Sequence, residues 1–125
     1  MVIIDTDVLI DFLGGEQEVS NVVQRIIQYE DAATTIINQY ELFKGAESRA
    51  QEEIIEGLLS KLDVYAVDYA SVKNAASMFH ALKKSGELIP ETDMLVAGIA
   101  QARGDGILTR DRHFKRLRMI KAEII

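Results

Sequence analysis

Short unbroken apolar runs alternate along this chain with longer stretches whose apolar residues recur every three to four positions. Unbroken runs suit strands covered on both faces, and the longer period suits amphipathic helices laid over them. Val2, Ile3 and Ile4 form the first run, with Asp5 at its C-terminal end. Val19, Val22, Val23, Ile26 and Ile27 then trace one face of a helix. Ala32 to Ile36 predicts a second strand, Asn38 to Ala50 a helix, and Glu52 to Leu62 another, with Ile55, Leu58, Leu59 and Leu62 facing inward. Val64 to Val67 predicts a third strand. A helix over Tyr69 to Ser85 follows, stopped by Gly86, and a helix runs from just after Pro90 to about Arg103. Ile107 to Thr109 predicts a fourth strand, and Met119 and Ile120 mark a last short one. Strands alternating with helices predict a three-layer α/β/α fold around a central parallel sheet of four to five strands. With 125 residues and no linker or repeat, the chain is expected to form one domain over residues 1–125.

Composition narrows the chemistry. There is no cysteine, so disulfides, thiolate zinc sites and cysteine nucleophiles are excluded. No apolar run approaches the roughly 20 residues that cross a bilayer, and no basic-then-apolar leader stands at the N-terminus. A cytoplasmic protein with no membrane role is expected. Two histidines, His80 and His113, make a histidine-rich metal site unfavourable; His80 is expected to be structural and His113 a surface or packing residue, with contact to a phosphate as its second reading. Gly14-Gly15 lacks the surroundings of a phosphate-cradling loop, and no GxSxG elbow is present. The net charge of −6 opposes nucleic-acid binding, but its distribution does not. Residues 101–125 hold seven of the 14 basic residues and three of the 20 acids, a net of +4.

In an open parallel sheet, ligands bind beyond the C-terminal ends of the strands, where the following helices begin. Asp5 ends strand one, and Thr109 and Asp111 end strand four. Glu41 and Asp93 fall in what read as the first turns of their helices. Four acids on four segments are thus directed to one edge of the sheet. Converging carboxylates repel one another unless a cation is bound among them. Each acid also has a plain structural use. Asp5 and Asp111 can be turn residues, Asn38 with Glu41 has the spacing of a capping box, and Asp93 suits any helix start. Asp7 can orient a neighbour or cap a helix, and Asp11 is expected to face solvent.

Four segments resemble the motifs of the PIN-domain nucleases, most closely the VapC-type toxins of toxin–antitoxin pairs. DTDVLIDFL resembles the first motif, with Asp5 as its leading acid; QYELFKGA the second, with Glu41; IPETDMLVAGIA the third, with Asp93; and ILTRDRHF the fourth, with Thr109 and Asp111. The segments stand in the family's order and span essentially the whole chain. Asp7 departs from the family, where many relatives carry asparagine.

The resemblance implies an endoribonuclease cleaving single-stranded or structured RNA with Mg²⁺ or Mn²⁺ and a metal-activated water, as the toxin of a type II pair. Asp5 and Asp93 would ligate the metal directly. Glu41 and Asp111 would hold its waters or a second ion, Thr109 would hydrogen-bond an aspartate or a water, and Thr6 and Asp7 would support this set from behind. Arg110, Arg112, Lys115 and Arg116 are candidates for RNA contact. A homodimer is implied, and an antitoxin whose C-terminal segment covers the active-site groove. Leu9, Phe12 and Leu13 would serve that segment or the core. Two other readings of the residues stand beside this one. A receiver-type Mg²⁺-binding phosphoacceptor domain has this size and acidity, but takes its acids from strand ends and needs a late lysine, for which Lys121 is poorly placed. A non-catalytic interaction module would use the acids only as caps.

Overall fold

The computed structural model describes all residues, 1–125, as a five-stranded parallel sheet with helices on both faces. In chain order the elements are β1 (Val2–Ile4), α1 (Thr6–Leu13), α2 (Gln17–Gln28), β2 (Ala32–Thr35), α3 (Ile36–Gly45), α4 (Arg49–Leu59), β3 (Asp63–Tyr65), α5 (Tyr69–Ser85), α6 (Glu91–Arg103), β4 (Gly106–Thr109), a 3₁₀ turn (Arg112–Arg116) and β5 (Ala122–Ile124). The strand order is β3-β2-β1-β4-β5, so β1 is central and paired on both sides, with Ile3 opposite Ala33 and Ile107. The three-layer α/β/α expectation therefore holds, with five strands.

Successive strand residues point to opposite faces, and this divides the core in two. Ile3 and Ile107 join the cluster under α5 and α6, which contains Met78, Met94, Ile99 and Phe114. Ile4 and Leu108, each one residue further on, join the cluster under α1, α2 and α4, with Val8, Leu9, Val23 and Leu58. Both faces of β1 and β4 are dry, so each strand must leave the core at its C-terminal end. Asp5 and Thr109 stand at those two ends.

Local chemistry moves several boundaries from where the apolar pattern sets them. Thr35 caps α3 through the backbone N–H of Asn38, so β2 ends at Thr35 and Ile36 begins the helix. The capping box is Thr35 with Asn38, not Asn38 with Glu41, and Glu41 sits in the second turn of α3. The expected helix over Asn38 to Ala50 is broken. Ala46 is extended, and Ser48 starts α4 afresh by accepting from Gln51 N–H. β3 lies at Asp63–Tyr65, and β5 lies at Ala122–Ile124, beyond Met119 and Ile120. The helix over Tyr69 to Ser85 matches the reading, with Gly86 stopping it at φ 74°.

Helices α5 and α6 cross closely at Gly98. A Cβ there would lie 2.3 Å from the carbonyl oxygen of Ser71 and 3.1 Å from the backbone nitrogen of Ala75. The Gly98 carbonyl also accepts from Asn74 Nδ2 at 3.2 Å. On an exposed helix Gly→Ala stabilises by up to about 1 kcal/mol. Here the added methyl meets backbone that cannot rotate away. Gly98→Ala is expected to cost about 1–3 kcal/mol and lower the melting temperature by roughly 5–10 °C. Thermal denaturation checks it, and an unchanged midpoint would refute the close crossing.

Candidate active site

Asp5 leaves the buried end of β1 with only 6% of its surface exposed. Its backbone N–H still donates to Leu108, so the ladder holds the residue in place. Three donors orient its carboxylate. Oδ1 accepts from the backbone N–H of Thr6 at 2.9 Å and from Asn38 Nδ2 at 3.1 Å, and Oδ2 accepts from Thr109 Oγ1 at 2.7 Å. Thr109, fully buried at the end of β4, also accepts from the backbone N–H of Asp111 at 3.0 Å. One hydroxyl thus links the two strand-end acids.

A second chain of hydrogen bonds reaches Glu41. The Thr35 hydroxyl donates to Asn38 Oδ1 at 2.7 Å, Asn38 Nδ2 donates to Thr6 Oγ1 at 2.9 Å, and Thr6 Oγ1 donates to Glu41 Oε1 at 2.7 Å. Asn38 is wholly buried and serves twice, as the N3 member of the α3 capping box and as a donor to Asp5 and Thr6. The sequence shows only a polar residue at a helix start, and its second task depends on the β1–β2 pairing.

Asp93 occupies the first turn of α6, with its backbone N–H directed to the carbonyl of Pro90. No side chain caps this helix, so its unpaired N–H groups supply positive character beside the acid. Asp93 Oδ2 lies 2.7 Å from His113 Nε2, and Asp111 Oδ1 lies 2.8 Å from His113 Nδ1. His113 therefore bridges two of the acids, contrary to its reading as a packing or surface residue. Its one signal in the sequence is its position two residues after Asp111 in TRDRHF.

Asp5, Thr6, Asp7, Glu41, Asp93 and Asp111 line one open cavity of about 320 Å³ at the C-terminal edge of the sheet. All four acids anticipated at that edge meet there, and Asp7 joins them. Burial pushes the Asp5 carboxyl up to about 6, against the Thr109 hydrogen bond, and the charges of Asp7 and Asp93 add to the rise. Burial also raises Asp7 and Asp93. At Asp93 the His113 contact opposes that rise, while the charges of Asp111 and Glu41 reinforce it. Burial thus disfavours the ionised forms of Asp5, Asp7 and Asp93.

The basic residues divide. Arg110 pairs with Asp11 at 3.3 Å and with Glu16, while its backbone N–H faces Asp7. Asp11 is thus engaged rather than simply solvated. Arg116 donates to the carbonyls of Glu87 and Leu88, at 3.4 and 3.0 Å, and so fastens the loop that leads into α6. Arg112 and Lys115 are exposed and make no ion pair.

A larger apolar groove of about 380 Å³ adjoins the acidic cavity and shares Ile10 and Glu41 with it. Leu13, Leu42, Ile54 and Ile55 line it, and Ile54 is 58% exposed. Of the residues weighed for a partner, Leu13 lines this groove, whereas Leu9 is in the core.

The sequence model of the PIN domain family matches residues 2–119. The chain belongs to the PIN domain family. It is 25% identical over 118 residues to Ribonuclease VapC1 of Methanocaldococcus jannaschii, across 94% of this chain and 81% of that one. It is 32% identical over 88 residues to the tRNA(fMet)-specific endonuclease VapC of Shigella flexneri, across 66% of this chain and 67% of that one. Among solved structures, the DNA-bound VapBC of Salmonella typhimurium matches with a TM-score of 0.87 at 26% identity, covering 98% of this chain and 96% of that one.

The other two readings fare less well against this PIN domain. Receiver-type domains order their strands 2-1-3-4-5, whereas this sheet runs 3-2-1-4-5. As for a module that uses its acids only as caps, Glu41 lies beyond the first turn of α3, and no side-chain bond caps α6 at Asp93.

Proposed function

We propose that this PIN domain is a divalent-metal-dependent endoribonuclease and the toxin of a type II toxin–antitoxin pair. The observation that carries the reading is the convergence of Asp5, Glu41, Asp93 and Asp111 on one cavity, in a chain of the family to which the VapC ribonucleases are related. The donor set fits a hard cation. It consists of carboxylate oxygens, and two of the four acids, Asp5 and Asp93, carry raised affinities for a proton that an ion would replace.

Asp5 and Asp93 would hold a Mg²⁺ or Mn²⁺ ion directly, with Glu41 and Asp111 supporting it. A bound divalent ion supplies an acidified water and neutralises charge at the scissile phosphate. The chain's own residues do the rest. Thr109 and Asn38 keep the Asp5 oxygens turned into the cavity. Thr6 fixes Glu41 at the cavity wall, where its free oxygen can accept a proton from an attacking water. Arg112 and Lys115 stand free to meet phosphates, while Arg110 and Arg116 act mainly by holding α1 and the loop before α6. Hydrolysis by water leaves a 5′-phosphate and a 3′-hydroxyl. Cytoplasmic location accords with a cellular RNA substrate.

Incubating the purified protein with single-stranded and hairpin RNA, with EDTA or with added Mg²⁺ or Mn²⁺, tests the reading. Cleavage restored only by metal, leaving 5′-phosphate ends, is expected. Metal-independent cleavage, or 2′,3′-cyclic phosphate ends, would refute the mechanism.

The apolar groove would receive a segment of the antitoxin. Leu13→Asp with Ile54→Asp places two charges in it, at residues that do not line the acidic cavity. The pair is expected to weaken antitoxin binding at least tenfold, or about 1.4 kcal/mol, while free-toxin cleavage stays within about twofold. Calorimetry with the antitoxin that co-purifies with the wild-type chain measures it, and undiminished affinity would place the partner elsewhere.

A further inference from the structure

His113 makes the metal pocket more than a ring of carboxylates. Its imidazole lies edge-on between Asp93 and Asp111, and each ring nitrogen has one carboxylate oxygen within hydrogen-bonding distance. One ligand atom from each of Asp93, Asp111 and His113 can be chosen so that all three lie within 4.8 Å of one another. Two ligands at right angles on an ion with bonds of about 2.1 Å are separated by about 3 Å. The 2.7 Å between Nε2 and Asp93 Oδ2 is close to such an edge.

The two nitrogens are not equivalent. Nδ1 faces Asp111, whose carboxylate is held by the backbone N–H of His113 at 3.2 Å. An imidazole that donates Nδ1–H to Asp111 presents the Nε2 lone pair towards Asp93. Carboxylate, imidazole and metal in that sequence form the usual arrangement of a histidine ligand, in which the outer acid fixes ring orientation and tautomer.

We propose that His113 Nε2 is a direct ligand of the divalent ion held by Asp93, and that Asp111 acts chiefly as the positioning residue for that imidazole. This inference rests on the metal-dependent reading above and changes two roles within it. A residue set aside as structural becomes a ligand, and Asp111 moves one bond away from the ion. A mixed nitrogen and oxygen set also favours Mn²⁺ over Mg²⁺, because imidazole suits transition metals and Mg²⁺ prefers oxygen.

Electron spin echo spectroscopy of Mn²⁺ bound to the full chain tests this. The protein has two histidines, His80 on α5 and His113. Wild type and His80→Gln are expected to deplete the free Mn²⁺ signal and to show ¹⁴N modulation from a coordinated imidazole. His113→Gln is expected to bind Mn²⁺ about tenfold more weakly, to show no such modulation, and to lose about tenfold in its preference for Mn²⁺ over Mg²⁺ in competition. Depletion without ¹⁴N modulation in the wild type overturns the ligand assignment and leaves the metal site standing. Modulation that persists in His113→Gln, or disappears in His80→Gln, also overturns it, and an unchanged Mn²⁺/Mg²⁺ ratio overturns the selectivity. If His113→Gln binds no Mn²⁺, modulation in both other proteins still assigns the nitrogen to His113. No depletion by the wild type would instead refute the metal reading itself.

Discussion

Asp93→Asn is expected to reduce metal-dependent RNA cleavage by about 10³-fold or more while leaving the protein folded. Asparagine keeps the shape of the side chain but removes the charge that would bind the ion. Several kcal/mol of transition-state stabilisation depend on that ion, and each 1.36 kcal/mol is tenfold in rate. The fold has little to lose. Asp93 makes no cap hydrogen bond to α6, and burial already disfavours its ionised form. Glu91 supplies the control. It shares the first turn of α6 but lines an apolar hollow with Val72 and Phe79 rather than the acidic cavity. Glu91→Gln is expected to cleave within about twofold of the wild type. Single-turnover cleavage with circular dichroism checks both, and more than about a tenth of wild-type activity in Asp93→Asn would remove Asp93 from its role.

Asp5 makes metal-free stability fall with rising pH. Its folded-state value of about 6 lies above the ordinary 3.8, so the folded chain holds this proton more tightly than the unfolded chain does. Its contribution is fully present below about pH 3.8 and is lost as pH rises through about 6. The whole shift corresponds to about 3 kcal/mol, roughly half of it lost between pH 5 and 8. Asp5→Asn removes the titration, so the metal-free variant should gain on the wild type by about 1–2 kcal/mol across that interval. Metal acts in the opposite sense. At pH 8 and about 100 times its dissociation constant, Mn²⁺ should stabilise the wild type by about 2.7 kcal/mol, or roughly 10 °C, and Asp5→Asn far less. Urea unfolding at pH 5 and 8, with EDTA or Mn²⁺, measures all four terms. A wild type whose stability tracks that of Asp5→Asn at both pH values would show that Asp5 is not strained by its burial.

The sheet and the layers were legible because apolar spacing records burial directly. Val2 to Ile4 and Ile107 to Thr109 read as strands dry on both faces, and both cores contain their residues. The end of β2 and the start of α4 moved because a side chain spoke to nearby backbone. Thr35 and Ser48 start helices through single hydroxyls, and hydrophobic periodicity carries no trace of that. The convergence of four acids followed from topology, since strand ends and helix starts share an edge. Asn38 and His113 were not legible in the same way. Their partners lie 33 and 20 residues away, at Asp5 and Asp93, and only the assembled sheet brings them together. The engagement of Arg110 with Glu16 and of Arg116 with the loop before α6 is likewise a tertiary fact, which a count of basic residues cannot contain.

The central claim is that the acids at the sheet edge share one divalent ion. A crystal grown with Mn²⁺ and measured at the manganese absorption edge tests it most directly. An anomalous peak in the cavity about 2.1 Å from carboxylate oxygens of both Asp5 and Asp93 is expected. A peak elsewhere, or an empty cavity in crystals of protein that cleaves RNA with Mn²⁺, would contradict it.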